Sequence, residues 1–173
     1  MDSLTANLII GLTGLAKGTT VNPANQSTVR SGTNMSVSLS STGTGAGKAN
    51  SVFGVGKTRT LAGGAGEELD FFSFTSILNE TGASMTKCRI FYLLHLGSSV
   101  ASSITVGNPS GNPFRPLAFG ATATLDLLPG EFFIFGSPTT AGFTVSNTVK
   151  TWKVLNNDGV NSAAYEVGVI GEG

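Results

Sequence analysis

The chain has 173 residues, and its ten lysines and arginines are balanced by ten aspartates and glutamates, so its formal net charge at pH 7 is zero. A balanced charge gives no electrostatic reason to bind nucleic acid or an anionic membrane, and we expect neither partner. Charged residues make up only 12% of the chain, about half the share in an average soluble protein, which fits a surface covered by partner subunits or one rich in Ser, Thr and Gly.

A single domain without covalent cross-links is the simplest organisation for this chain. The length suffices to bury a core, and the one cysteine, Cys88, excludes an intrachain disulfide and a metal site built from thiolates. Residues 4–15 are apolar, but polar residues and glycines interrupt them and no basic segment precedes them. We expect this stretch to be neither a signal peptide nor a membrane span.

Residues 17–50 are rich in Gly, Ser, Thr and Asn and contain few large apolar side chains. Such a segment cannot bury enough apolar surface to offset the entropy that it loses on ordering. Two structures fit this composition. The segment is either a long arm that orders on assembly, or a pair of weak edge strands near residues 28–30 and 34–40.

The boundary of the folded domain is predicted from a change in composition. Residues 41–47 resemble a flexible linker in their Gly, Ser and Thr content, and regular patterning begins near Ser51. We therefore expect an N-terminal arm or weak strands over residues 1–50 and a β-sandwich domain over residues 51–173.

From Ser51 onward, apolar and polar residues alternate between turns marked by Gly, Pro and Asn-Asp-Gly. This pattern is typical of antiparallel strands with one buried face. It predicts nine strands, over residues 51–61, 68–74, 86–96, 102–106, 121–128, 131–136, 142–146, 149–155 and 163–170.

The number of strands indicates the fold class. Residues 75–85 are expected to form a short helical turn or a loop, and little helix is expected elsewhere. Eight or more short strands with frequent turns are typical of a sandwich or a jelly roll. We predict an all-β fold: a single antiparallel β-sandwich of jelly-roll type with an extended N-terminal arm.

Two strands carry more specific predictions. The strand over 86–96 is apolar on both faces in its second half, which places it at the centre of a sheet or at a subunit contact. Residues 157–159 (Asn-Asp-Gly) are expected to form a hairpin turn. The strand that follows should be internal, with a buried face made of Tyr165, Val167 and Val169.

The segment 54–58 (Gly-Val-Gly-Lys-Thr) ends like a phosphate-binding loop. The complete motif requires a glycine at position 51, where this chain has Ser51. It also requires a following helix whose N-terminal amides point at phosphate, and the glycines over 63–66 would unwind one. We expect a strand with alternating Lys57 and Arg59 in place of a nucleotide site.

The only histidine, His95, and Cys88 raise the question of a nucleophile–base pair. Seven positions apart in one strand, they would point to opposite faces and lie about 23 Å apart. A pair is therefore excluded if the strand forms. We expect Cys88 to be a small core residue and His95 a strand-face or interface residue.

Two further groups have a structural and a functional interpretation. Glu67, Glu68 and Asp70 are acidic, but they lack the glycine-spaced Asp and Asn pattern of a calcium loop, which favours a solvated start of a strand. Phenylalanines occupy adjacent positions on two strands, and Phe suits sugar stacking least because it has no polar tip. A core on one face and a subunit contact on the other is preferred for Phe71, Phe72, Phe74, Phe132, Phe133 and Phe135.

Several turn and strand motifs lie between residues 57 and 171. They are Thr58-Arg59-Thr60-Leu61-Ala62, Glu67-Glu68-Leu69-Asp70, Met85-Thr86-Lys87, Pro129-Gly130-Glu131-Phe132-Phe133-Ile134, Pro138-Thr139-Thr140-Ala141-Gly142-Phe143-Thr144-Val145, Trp152-Lys153-Val154-Leu155-Asn156 and Tyr165-Glu166-Val167-Gly168-Val169-Ile170-Gly171. Together they resemble small structural proteins of tailed bacteriophages. Glu131 stands where that family has a second glycine, which changes the turn. The resemblance implies a virion component such as a capsid decoration protein, and it transfers no catalytic residue.

We therefore predict a non-enzymatic virion structural protein, a capsid decoration or stabilising protein of a tailed phage that acts through subunit–subunit contacts. The expected partners are further copies of the chain, as a homotrimer, and the major capsid protein or other virion proteins. The expected location is the virion, assembled in the host cytoplasm. No catalytic, cofactor-binding or metal-binding residue is assigned.

The alternative is a receptor- or carbohydrate-binding β-sandwich module, such as a fibre or tail head. Such a module needs an exposed Tyr or Trp beside a polar groove, and the chain offers only Tyr92, Trp152 and Tyr165. A hydrolase is a third possibility, and it would need His95 as a base.

Overall fold

The computed structural model of the protein describes residues 45–54, 56–73, 84–97, 102–116, 120–137 and 141–173, together with the backbone of four strands nearer the N-terminus. These four strands form two antiparallel pairs. Strand β1 pairs with β4 and β2 pairs with β3, with bounds β1 Thr5–Ile10, β2 Thr13–Lys17, β3 Gln26–Arg30 and β4 Met35–Ser40. The expectation of an assembly-ordered arm over residues 1–50 stays a prediction.

The following strands form two antiparallel sheets, and the described part of the chain contains no helix. Their bounds are β5 Ser51–Phe53, β6 Thr58–Leu61, β7 Gly66–Asp70, β8 Lys87–His95, β9 Ile104–Gly107, β10 Thr124–Leu127, β11 Phe132–Gly136, β12 Phe143–Thr144, β13 Thr151–Asn156 and β14 Ala163–Glu172. The prediction of an all-β fold with antiparallel sheets, consistent with a β-sandwich, is confirmed.

The two sheets differ in size and order. The four-stranded sheet has the order β10-β9-β13-β7. In the six-stranded sheet β8 and β14 lie at the centre, β11 and β12 pair with the other side of β8, and β5 and β6 pair with the other side of β14. The predicted central position of the strand over 86–96 is therefore confirmed.

All nine predicted strands are present, with two differences in their connections. The strand predicted over residues 51–61 is divided by a turn into the two strands β5 and β6. Residues 157–159 do not form a hairpin turn, because they join β13 in the four-stranded sheet to β14 in the six-stranded sheet. Asp158 closes this connection by accepting the backbone N–H groups of Val160 and Asn161. Residues 75–83 of the predicted helical turn or loop over 75–85 lie outside the described residues.

An aromatic cluster fills the space between the sheets. The ring of Phe91 in β8 lies 4.6 Å from the ring of Trp152 in β13 and 5.4 Å from that of Phe71, centroid to centroid. On the other side it meets Phe133 at 5.3 Å. The indole N–H of Trp152 donates to the carbonyl of Phe114 at 2.7 Å, so the one polar atom of this buried ring is satisfied.

A β-bulge in β8 corrects the predicted faces of that strand. Ile170 pairs with Ile90 and Gly171 pairs with Cys88, so Arg89 is an extra residue without an opposite partner in β14. The extra residue shifts the alternation by one. Cys88, opposite the core residue Phe143, therefore points into the same core as Phe91 and Leu93, not to the opposite face as predicted.

Strand β14 has the predicted buried face. Tyr165, Val167 and Val169 are fully buried and belong to the hydrophobic core. On the other face, Gly168 lies against the ring of Tyr92, and a Cβ built at Gly168 would come within 2.1 Å of that ring. The close approach of β14 to β8 at this point therefore requires glycine.

Replacing Val167 and Val169 together with alanine is expected to lower the free energy of unfolding by about 1–3 kcal/mol for each side chain, through lost burial and residual cavities. Urea unfolding followed by the fluorescence of Trp152, the only tryptophan, measures the loss. Val160→Ala is the matched control, because that valine is 88% exposed. A similar loss in the control would contradict the burial argument.

Candidate functional site

Glu67 joins three strands at the margin of the core. The Arg59 guanidinium in β6 donates hydrogen bonds to both of its carboxylate oxygens, with 2.9 Å between Nε and Oε1. The hydroxyl of Tyr165 in β14 donates to the same carboxylate. The hydrogen bonds from Arg59, aided by that from Tyr165, hold the pKa of Glu67 below its usual value although burial opposes them.

The acidic residues Glu67, Glu68 and Asp70 do not come together in one site. Glu68 accepts the backbone N–H of Ser110 at 2.6 Å, and Asp70 pairs with the ammonium of Lys150 at 2.7 Å. Alternation along β7 places both on the face opposite to Glu67. Among the described residues no group of three or more His, Cys, Asp or Glu side chains could hold a metal ion.

Arg89 and Glu172 form a buried ion pair, with side chains 0% and 2% exposed. The guanidinium also donates to the carbonyl of Gly45 at 2.7 Å, and the N–H of Gly45 donates to the Glu172 carboxylate at 2.9 Å. The ammonium of Lys87 lies 3.6 Å from the second carboxylate oxygen. Burial raises the pKa of Glu172, but Arg89, Gly45 and Lys87 together outweigh it, so the pKa lies below its usual value.

This ion pair anchors the segment that precedes β5. Gly45 binds both members of the pair, and the N–H of Asn50 donates to the carbonyl of Gly171 at 2.8 Å. Ala49 between them is fully buried. Residues 45–50, the last part of the predicted arm, are therefore fastened to β8 and β14.

The segment that resembles a phosphate-binding loop is a turn between β5 and β6. Gly54 and Gly56 both have φ of +71°, and a Cβ at Gly54 would lie 2.3 Å from the carbonyl oxygen of Val167. A strand follows, not a helix, and the N–H of Gly56 donates to the carboxylate of Glu166 at 3.0 Å. Lys57 lies outside β6, which begins at Thr58, so only the part with Arg59 of the expected strand with alternating Lys57 and Arg59 is present.

Cys88 and His95 are both buried, which confirms that Cys88 is a core residue. Burial raises the pKa of the Cys88 thiol, so the thiol stays protonated at neutral pH. His95 Nδ1 lies 3.2 Å from the carbonyl oxygen of Leu127 in the opposite sheet. A Cβ at Gly97 would lie 2.7 Å from His95 Nε2, an atom without a hydrogen-bond partner in the described part of the chain. Both side chains contribute to packing between the sheets.

The two sheets present different outer faces. The outer face of the four-stranded sheet is mostly polar and carries Glu68, Asp70, Thr105, Asp126 and Lys153 beside Leu155. The outer face of the six-stranded sheet carries the hydrogen-bonded pair Tyr92 and Glu166 among apolar residues, namely Val52, Ile90, Leu94, Phe132, Ile134 and Ile170. Within this set Val52 and Ile90 are buried, and Phe132 in β11 is the exposed residue.

Three exposed apolar residues lie in the segments that meet at the turn before β11, and we call them the apolar corner. They are Leu96, Leu128 and Phe132, which are 40%, 48% and 65% exposed. The turn before β11 is held beside the end of β8, because the N–H of Gly130 donates to the carbonyl of His95 at 2.9 Å. The apolar corner is the candidate functional site, since apolar surface grouped in this way is typical of contacts with other proteins.

The aromatic residues that could stack on a sugar are less available. Trp152 is 2% exposed and Tyr165 is fully buried. Tyr92 is half-buried, and its hydroxyl donates to the carboxylate of Glu166. Neither the indole ring of Trp152 nor the ring of Tyr165 is therefore accessible for stacking on a sugar, as the carbohydrate-binding alternative requires.

Both tyrosines of the chain are expected to resist ionisation. Burial, with Glu166 beside it, raises the pKa of Tyr92 to about 12, and burial, with Glu67 beside it, raises that of Tyr165. Groups with a raised pKa stabilise the fold below their usual pKa of 10.0 and lose this effect as the pH rises further. Tyrosinate absorbance should therefore be low at pH 10 in the native protein and substantial in urea. Equal titration curves in the two conditions would contradict the prediction.

No matching protein-family model, curated protein or solved structure was found for the chain. Within the described residues, no helix has the length and apolar content needed to cross a membrane.

Proposed function

We propose that the protein is a non-enzymatic structural subunit that acts through contacts between folded subunits. The observation that carries this proposal is the apolar corner, above all Phe132 with 65% of its surface exposed. A single exposed apolar side chain is normal on a protein surface. Three of them around one turn, in a chain with only 12% charged residues, indicate a contact surface.

The use of the charged side chains supports the same function. The ion pairs Arg59–Glu67, Arg89–Glu172 and Lys150–Asp70 each join separate segments of the sandwich. Side chains committed to such pairs contribute to the native structure, and their positions follow from the fold. A catalyst would instead present acidic and basic groups to a cleft.

The proposed setting is the virion of a tailed bacteriophage, where the protein would decorate or stabilise the capsid by binding the major capsid protein or another virion protein. The resemblance of the motifs between residues 57 and 171 supports this setting. We further propose a jelly-roll topology, a homotrimer, and an arm over residues 1–50 that is ordered by neighbouring subunits. The anchoring of residues 45–50 to β8 and β14 would give such an arm a fixed starting point.

Sedimentation of the purified protein, alone and with capsids that lack it, tests the proposal. We expect an oligomer that co-sediments with the capsids, and electron micrographs that show the protein on the particle. Phe132→Ser should weaken association, whereas Val160→Ser, at a valine 88% exposed outside the apolar corner, should not. A monomer that never associates with particles would overturn the proposal.

A further inference from the structure

Among the described strands of the two sheets, β11 is the longest edge strand that carries no charged residue. At the other edges β6 contains Arg59, β7 contains Glu67, Glu68 and Asp70, and β10 contains Asp126, while β5 and β12 have only three and two residues. Charges and short length are the usual means by which proteins prevent unwanted pairing at sheet edges. The sequence of β11, Phe-Phe-Ile-Phe-Gly, uses neither.

The backbone of β11 has unused hydrogen-bonding groups on its free side. The backbone N–H of Ser137 donates to the carbonyl of Arg89 at 2.8 Å, and the carbonyl of Glu131 accepts the backbone N–H of His95 at 3.0 Å. The backbone N–H and C=O groups of the odd-numbered residues of β11 therefore point toward β8. The N–H and C=O groups of the even-numbered residues therefore point away from β8. These residues are Phe132, Ile134 and Gly136, whose outward groups have no partner in the described ranges of the chain.

The side chains of β11 are also only partly covered. Phe133 and Phe135 lie at the margin of the aromatic cluster, where both rings are half-buried and their centroids are 5.4 Å apart. Phe132 and Ile134 belong to the outer face, and Phe132 is 65% exposed. Both faces of this edge would bury apolar surface if another strand were added beside it.

We propose that β11 pairs with β11 of a second copy of the chain, antiparallel about a two-fold axis that passes between the two Ile134 residues. The inference rests on the proposed function, namely that the protein acts through contacts between its own subunits. In this register Ile134 lies opposite Ile134 of the partner subunit, and Phe132 lies opposite Gly136 of the partner subunit.

The self-pairing satisfies the backbone and the side chains together. Even-numbered residues of one β11 lie opposite even-numbered residues of the other, so their outward N–H and C=O groups form hydrogen bonds between the two strands. Each exposed Phe132 ring covers a position where the partner has no side chain. Phe133 faces Phe135 of the partner subunit, so the aromatic clusters of the two copies become continuous. The flanking Glu131 meets Ser137 of the partner subunit, and no like charges are brought opposite each other.

This contact is isologous and generates dimers or other even-numbered assemblies. A homotrimer would need a different surface, and the two-fold contact would then join neighbouring trimers. An extended strand of another protein is the competing occupant of the edge, and it would leave the purified protein unpaired there.

Disulfide trapping tests the register. In Ile134→Cys the new thiols would face each other with Cα atoms about 5.5 Å apart, within the range of a disulfide, and the native Cys88 is buried and cannot compete. Mild oxidation should convert most of this variant to a covalent dimer. The matched control is Val160→Cys, which is exposed away from β11 and should stay uncrosslinked.

Solution mass tests the contact itself. Ile134→Lys places a charge on the edge and should halve the mass of the assembly without loss of the β-sheet circular dichroism spectrum. Thr124→Lys, on the edge strand β10, should leave the mass unchanged. An oligomer unaffected by Ile134→Lys and not trapped by Ile134→Cys overturns the self-pairing but leaves the structural function standing. A monomer that still binds particles also overturns the self-pairing alone, whereas a monomer that binds none overturns both.

Discussion

Replacing Arg89 with methionine is expected to lower the free energy of unfolding by about 3–5 kcal/mol, the usual cost of removing one member of a buried ion pair. Glu172 is 2% exposed, and its carboxylate would lose the guanidinium and keep only the ammonium of Lys87, 3.6 Å away, as a positively charged neighbour. Gly45 would lose the hydrogen bond to its carbonyl as well. Urea unfolding followed by Trp152 fluorescence measures the change.

The double variant Arg89→Met with Glu172→Gln is the control for this prediction. It removes both charges and keeps an acceptor for the N–H of Gly45, so most of the lost stability should return. If the double variant is as unstable as the single one, the loss comes from packing of the arginine stem and not from the lost interaction between the two charges.

The same carboxylate predicts a dependence of stability on pH. Because the folded protein lowers the pKa of Glu172 below the usual 4.5, the ion pair stabilises the fold above pH 4.5 and loses this effect as the pH falls through the lowered value. In Glu172→Gln, the free energy of unfolding should therefore fall less steeply as the pH is lowered below 4.5. Part of the pH dependence of stability should remain in this variant, because the pKa of Glu67 is also lowered in the folded protein.

Replacing Phe91 with alanine is expected to lower the free energy of unfolding by about 3–5 kcal/mol, because the ring is fully buried and leaves a cavity. The phenyl ring contacts Trp152 and Phe133 at centroid distances of 4.6 and 5.3 Å. Since a domain of this kind is stable by about 5–15 kcal/mol, the variant should unfold at a much lower urea concentration. Its native Trp152 emission should also shift, because one side of the indole loses its neighbour.

Phe132→Ala is the matched control for this second prediction. It makes the same chemical change in the adjacent strand at a ring that is 65% exposed. We expect little change in the stability of the isolated subunit and an effect only on association. Equal losses of subunit stability in the two variants would mean that the two faces of the sheet are buried alike.

Much of the secondary structure follows from local patterns. The alternation of apolar and polar residues and the intervening turn residues are properties of short segments, so they predicted all nine strands and the buried face of Tyr165, Val167 and Val169. The adjacent phenylalanines of β11 likewise indicated a strand with rings on both faces, and Phe132 and Phe133 do lie on different faces.

The candidate site was only partly visible in the sequence. Exposure of Leu96, Leu128 and Phe132 depends on which strands lie beside β8 and β10, and no local pattern reports this. The pairs Arg89–Glu172 and Tyr165–Glu67 join residues 83 and 98 positions apart. An apolar central strand gives no sign that an arginine within it will be paired and fully buried.

The chain by itself therefore determined the positions of the strands and the all-β class, because these depend on neighbouring residues. Tertiary structure decided three further features. The bulge at Arg89, which turns Cys88 into the core, exists only relative to the partner strand β14. The connection at 157–159 crosses between the sheets because β13 and β14 belong to different sheets. The uncharged free edge of β11 is defined by the order of strands across the sheet, which is a property of the assembled fold and not of any one segment.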